Sequence, residues 1–312
     1  MKFYLFSLFA ALIFAFFGYQ IVMMPQPAAE PKTPIVSEVP EIPPLQTMPE
    51  VPETPEEPEI PETPKIPELP QVELSLSGEM PVLMYHHVVP DGEKCNDMTV
   101  TPAKLRRDFQ LILDKGYTPV LPREIISGEP LPEKPILITF DDGYTSNYTL
   151  LFPILQEVQM KAVISIITCM PDLPASNFCT WAMHREMHAS GLVEIASHTY
   201  QLHNLDERDG SFTPGGVNGI QRKPDESDED FASRVLDDLG LSYHRIMEEL
   251  NCRPTCFAYP YGMAEPDAEA LIDELFPVTL MTKAGTADLS KGLHDLPRWT
   301  VTMNTDLSRI LE

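Results

Sequence analysis

The side chains best suited to hydrolytic chemistry are an adjacent carboxylate pair, Asp141-Asp142, and two histidines five residues apart, His198 and His203. The carboxylates follow the run Ile136-Leu137-Ile138-Thr139-Phe140 and precede Gly143. A strand points successive side chains to opposite faces, so the two acids would diverge unless Gly143 lets the chain turn sharply. After such a turn they can face one cavity in different roles. The plain alternative is an Asp-Gly turn that only ends a strand. The histidines lie in Ser197-His198-Thr199-Tyr200-Gln201-Leu202-His203. A spacing of five does not stack them on a helical face, but on a turn leaving a strand they can converge. Joined by one carboxylate, they would form a metal site with positions left for water and substrate. Two surface histidines in a polar loop is the competing reading. A third group, Tyr259-Pro260-Tyr261-Gly262, would give a groove wall with exposed backbone N–H groups, although taken alone it is a turn.

These groups need a frame. From Pro81 onward, short apolar runs alternate with amphipathic segments. Residues 82–86, 136–140, 162–167, 192–197, 257–261, 277–281 and 298–303 read as strands. Thr101-Pro102 reads as an N-cap and first helical position, with Leu105, Phe109 and Ile112 as the apolar stripe. Helices are also expected over about 146–159, 181–190 and 228–250, the last with Phe231, Val235, Leu239, Ile246 and Leu250 on one face. Residues 204–227 read as a long polar loop. Repeated β-then-α units imply a parallel sheet with right-handed crossovers, and seven or so imply an α/β barrel, closed or nearly so. Its chemistry would sit at the carboxyl ends of the strands.

The chain preceding this frame is of another kind. Residues 3–24 are almost uniformly apolar and would span about 33 Å as a helix, enough for a hydrocarbon core of about 30 Å. With Lys2 on one side and acidic residues on the other, a single transmembrane anchor would leave the rest extracytoplasmic. A cleaved signal peptide is the rival, and it also exports the chain. Residues 25–78 carry fifteen prolines and eleven Glu against Lys32 and Lys65. Such a segment should be an extended, disordered linker reaching on the order of 150 Å, or else a Pro-rich docking peptide. The domains expected are thus 1–24, 25–78 and 79–312. The net charge of −25 argues against nucleic acid as a partner. The five cysteines are odd in number, and 169/179 and 252/256 are the pairs to test first. His184, His188 and His244 fall on expected helices and read as surface residues. Trp181 and Trp299 could offer flat faces for stacking a ligand, although core packing is their commoner use.

In this order, Thr139-Phe140-Asp141-Asp142-Gly143, His198 through His203 and Tyr259-Pro260-Tyr261-Gly262 resemble the motifs of the polysaccharide deacetylase family, carbohydrate esterase family 4, with its NodB-homology domain. Met80 through Val88, Glu194 through His203 and Leu296-Pro297-Arg298-Trp299 resemble most the biofilm poly-N-acetylglucosamine deacetylase subgroup. The resemblance covers nearly all of residues 80–305 and implies a distorted (β/α)7–8 barrel. It implies that Asp142, His198 and His203 bind a divalent metal, Zn2+ or alternatively Co2+ or Ni2+, with Asp141 as general base. The backbone N–H of Tyr261 would help hold the oxyanion. Two departures stand out. The family's third motif usually begins with Arg, but Ala258 stands there, and Arg298 is the candidate to orient Asp141 instead. The usual late Leu-x-His is missing, which points to His86 on the first strand as catalytic acid, with a structural core histidine as the alternative. The expected substrate is an N-acetylated glycan, poly-N-acetylglucosamine or peptidoglycan, acted on by a monomer. An O-acetyl esterase and a non-catalytic glycan-binding domain are the rival functions.

Overall fold

The computed structural model describes residues 76–173, 177–203, 219–263 and 265–311. In chain order the first half forms β1 (Glu79–Tyr85), β2 (His87–Val88), β3 (Thr99–Val100), α1 (Pro102–Asp114), β4 (Thr118–Pro119), α2 (Pro122–Ile125), β5 (Pro135–Asp142) and α3 (Phe152–Val158). The second half forms β6 (Ala162–Ile166), α4 (Trp181–Ala189), β7 (Val193–Ser197), α5 (Asp228–Leu250), β8 (Cys256–Ala258), α6 (Pro266–Asp273), β9 (Val278–Leu280), β10 (Thr286–Asp288) and β11 (Trp299–Thr300).

The main sheet has nine strands, ordered β10-β1-β5-β6-β7-β8-β9, with β11 on β1 and β4 on β5. The pairs from β1 through β5, β6, β7 and β8 to β9 are all parallel, while β10 runs antiparallel to β1. Every residue of β5, β6 and β7 is buried, as a parallel sheet covered on both faces requires. Helix α1 starts where expected. The Thr101 side chain accepts from the Lys104 backbone N–H, Pro102 opens the helix, and Leu105, Phe109 and Ile112 are fully buried. The helix expected over 146–159 opens instead as a wide π turn, Asn147–Leu151, before continuing as α3. That turn faces Asn147 Nδ2 to the His86 carbonyl at 3.0 Å, so the distortion ties the end of β1 to the end of β5.

Three expectations change. The barrel is not a closed ladder, because β8 and β9 have three residues each and β11 two, too few to complete it. Residues 296–300 cross the gap instead: Leu296 bridges Leu280, and Trp299 pairs with Leu83. His184 is not a surface residue but is fully buried, because α4 turns that face onto the core. All five cysteines are free thiols. Cys252 packs against one core cluster and Cys256 sits in another, while the Cys179 thiol donates to the Tyr144 carbonyl at 3.1 Å. Trp181 and Trp299 serve packing, with their indole N–H groups donated to Asp172 and Thr286. The anchor and the linker up to residue 75 lie outside the described residues, whereas the linker's last residues belong to the folded part: Leu76 packs against a core cluster and the Gly78 carbonyl accepts from the Leu289 N–H at 3.0 Å. Among the described residues, no helix is long and apolar enough to cross a membrane.

Candidate active site

Three strand ends, those of β5, β7 and β8, meet at one cleft. Each turns away through a non-glycine residue in left-handed backbone geometry: Asp142 at φ 75°, Thr199 at φ 71° and Tyr261 at φ 58°. Such a conformation costs on the order of 1–3 kcal/mol per residue and persists only where the surroundings enforce it. The left-handed turn begins at Asp142 itself and continues through Gly143, so a pleat that would separate two acids brings both to the cleft. A Cβ on Gly143 would press on Ile166 at 2.9 Å.

Asp142, His198 and His203 place one donor atom each within 4.8 Å of one another. The Asp142 Oδ1 lies 3.3 Å from His203 Nε2 and 3.6 Å from His198 Nε2. His198 Nδ1 lies 2.7 Å from the Ala258 carbonyl, which can only accept. The proton therefore sits on Nδ1 and the Nε2 lone pair faces the cluster. Burial, joined by the neighbouring His203, pushes the His198 pKa down to about 3, and burial lowers that of His203 as well. Burial raises the Asp142 carboxyl, partly offset by His86. Two neutral imidazoles and a carboxylate converging this closely suit a divalent cation, which would relieve the desolvated acid. The Tyr144 hydroxyl hydrogen-bonds Asp142.

Asp141 faces the opposite wall. Its two oxygens accept from Arg298 Nη1 at 2.8 Å and Nη2 at 2.7 Å, and both residues are buried. Arg298 is itself fixed, donating Nη1–H to Thr139 Oγ1 at 3.0 Å and Nε–H to the Met281 carbonyl at 2.7 Å. Burial alone would raise the Asp141 carboxyl, but the Arg298 guanidinium, with His198, outweighs it and holds the acid well below the ordinary range. Arg298 thus favours the carboxylate form of Asp141.

The remaining sequence candidates separate. His86 is half-buried, directly after β1, close enough to Asp141 and Asp142 that both raise its pKa, while burial, the larger effect, lowers it. His87 turns aside, with its Nδ1 2.8 Å from Ser146 Oγ. Tyr261 is exposed at the cleft, its hydroxyl 3.4 Å from His203 Nδ1 and its ring 4.7 Å from the imidazole. Tyr259 and Pro260, expected with it as a groove wall, do not share that position. Tyr259 is fully buried among Phe257 and Phe276, because strand alternation turns it inward, and Pro260 is buried as the first residue of a short 3-10 turn. Gly262 completes that turn at φ 64°, where a Cβ would collide with Thr282 Oγ1 at 1.8 Å. Sequence reasoning passed over Tyr144, although an aromatic directly after the Asp-Asp-Gly turn was the available signal.

The polysaccharide deacetylase family profile matches residues 128–275. The poly-beta-1,6-N-acetyl-D-glucosamine N-deacetylase of Escherichia coli (strain K12) is 32% identical over 255 residues, which cover 74% of this chain and 38% of that protein. The chain thus spans well under half the length of that relative. Among solved structures, the BpsB deacetylase domain of Bordetella bronchiseptica is 30% identical with a TM-score of 0.58, covering 70% of this chain and 94% of that one. A de-N-acetylase from Aggregatibacter actinomycetemcomitans is 27% identical with a TM-score of 0.64, covering 75% and 98%.

Proposed function

This chain belongs to the polysaccharide deacetylase family, and we propose that it removes N-acetyl groups from poly-β-1,6-N-acetylglucosamine in a metal-dependent hydrolysis. The observation that carries this reading is the pairing of a fully buried, Arg298-locked Asp141 with the Asp142–His198–His203 cluster beside it. A site for binding alone has no use for an arginine-held carboxylate next to a metal-ligating set, which disfavours a non-catalytic glycan-binding role.

A divalent cation, Zn2+ or alternatively Co2+ or Ni2+, held by Asp142, His198 and His203, would withdraw electrons from the acetamide oxygen and make water more acidic. Asp141 takes one proton from the attacking water as its oxygen bonds to the carbonyl carbon. Arg298 keeps both Asp141 oxygens in place and cannot itself lose a proton. The backbone N–H of Tyr261 is assigned to the developing oxyanion. His86 delivers a proton to the departing nitrogen as the C–N bond breaks, leaving acetate and a free amine. The proton that Asp141 takes from water balances the one His86 delivers, so passing it back restores the site.

The test is to incubate the protein and divalent metal with acetylated β-1,6-linked glucosamine oligomers, peptidoglycan and O-acetylated xylan, measuring acetate and free amine. Amine release from the β-1,6 oligomers is expected. Acetate from xylan alone would make this an O-acetyl esterase, and amine from peptidoglycan alone would move the substrate to the cell wall. We further propose that residues 1–24 anchor a monomer in the membrane, with the catalytic part outside the cytoplasm on a stalk formed by 25–78. Protease shaving of intact cells should release a soluble active fragment, and cytoplasmic retention would overturn the topology.

A further inference from the structure

We propose that a polar stripe on helix α5, Arg234-Asp238-Ser242, positions the loop from His198 to His203 and so sets the geometry of the metal-ligating cluster. The inference rests on the metal reading given above. The three residues are spaced four apart, so they stack along one face of α5. Asp238 and Ser242 grip the loop and its flanking strand ends, and Arg234 holds the chain from Gly219 to Glu226 that packs beside it. Asp238 accepts the Tyr200 backbone N–H on Oδ1 at 2.7 Å and that of Gln201 on Oδ2 at 2.8 Å. Those amides lie midway between the two histidines. Ser242 Oγ lies 2.7 Å from both Ser197 Oγ, at the end of β7, and Thr168 Oγ1, after β6. Thr168 in turn donates its backbone N–H to the Thr199 carbonyl at 3.0 Å. Arg234 donates to the carbonyls of Gly219 and Gln221, and its Nε–H and Nη2–H meet Glu226 at 2.6 and 2.9 Å.

Gly219 packs directly against Leu202 beside this stripe. A Cβ on Gly219 would lie 2.6 Å from the Leu202 carbonyl oxygen and 2.7 Å from its Cα. Leu202 immediately precedes His203, so the packing of Gly219 bears directly on the second imidazole. Asp238 and Ser242 are both buried. A desolvated carboxylate on a helix is costly unless its lone pairs are matched, and here two backbone amides match them. An apolar residue would pack α5 as well. The carboxylate is explained by the loop it holds, since Thr199 within that loop is in left-handed geometry and needs outside restraint.

The test uses Asp238→Asn, which preserves shape but sets an amide donor against a backbone N–H. Ser242→Ala is the milder second variant, and Asp237→Asn, on the exposed face, is the control. Co2+ binding to the full-length protein is followed by titration and by its visible absorption spectrum. In Asp238→Asn the Co2+ dissociation constant should rise about 10- to 100-fold with an altered spectrum, while far-UV circular dichroism is retained. Ser242→Ala should show a smaller rise, and Asp237→Asn none. Unchanged Co2+ affinity and spectrum in a folded Asp238→Asn protein would overturn the proposal. Amide hydrogen exchange of the wild type needs neither metal nor variant: Tyr200 and Gln201 should be as protected as the middle of α5, and rapid exchange there would also overturn it. A wild type that binds no Co2+ yet protects both amides would defeat the metal reading and leave the clamp standing.

Discussion

Asp141 and His203 face the same cleft and are held there by opposite means. Asp141 is the penultimate residue of a strand buried at every position, and two N–H groups of an equally buried arginine fix both its oxygens. His203 ends a loop, is partly exposed, and is steadied by a 3.4 Å contact to a half-exposed tyrosine and by neighbours tied to α5. The Asp141 side is over-determined by the core, whereas His203, alone of the clustered Asp142, His198 and His203, hangs on a loop. A general base must keep one orientation through the reaction, so rigidity serves it. A ligand set gains its final order from the ion it binds, so looser suspension costs it less.

Breaking the looser side should give the largest effect. His203→Ala is expected to lose bound metal and reduce turnover to background, read by metal analysis of the purified protein and acetate release. Retained stoichiometric metal would show that the loop does not supply a ligand. On the rigid side, Asp141→Asn should cut turnover by about 10^3-fold while metal content stays at wild type. Near wild-type turnover in that variant would remove Asp141 as base. His86→Ala should lower turnover by about 10^2-fold with little change in metal content, and unchanged activity would remove His86 as the acid.

Arg298→Met sharpens the comparison, because it leaves the base in place without its restraint. In the wild type the depressed Asp141 pKa contributes stability above the ordinary carboxylate range, lost only as pH falls through the depressed value. Without Arg298 burial is opposed only by the neighbouring His198 and His86, and the Asp141 pKa rises. The acid limb of the pH–rate profile should then move toward neutrality, and the variant should become more stable as pH falls. Denaturant unfolding near neutral pH should show a loss of about 3–5 kcal/mol, the usual result of stranding one member of a buried ion pair. An unmoved acid limb would assign that limb to another group. The smallest effect is expected for Tyr261→Phe, which removes the hydroxyl near His203 but keeps the ring and backbone. A change of less than about 5-fold in Co2+ affinity is expected, and a 100-fold loss would make that hydroxyl a principal restraint.

Much of the site was legible because short-range patterns encode strand ends. Asp141, Asp142 and His198 each close a run readable as an inner strand, with His203 five residues on, so a parallel topology would gather them at one rim. Tyr259 was misread because strand alternation at a three-residue strand was too short to show its direction. His184 was misread because its neighbours on α4 are mixed, and burial of one helical face depends on what packs above it. The Asp238 clamp was illegible, since an acid within an acidic helix carries no local mark of the amides it will meet.

By itself, the sequence determined the chemistry of this protein: which acids and imidazoles are present, and that β-α repetition would deliver them to one end of a sheet. Periodicity and turn residues are local properties, so they can be read without coordinates. Tertiary structure alone decided how those groups divide their roles. Arg298 lies 157 positions from Asp141, and Ala258, whose carbonyl selects the His198 tautomer, lies 60 positions from that histidine. Those pairings depend on which strands become neighbours and on the order 0.1 Å fit of buried donors to acceptors. No stretch of chain carries that information before it folds.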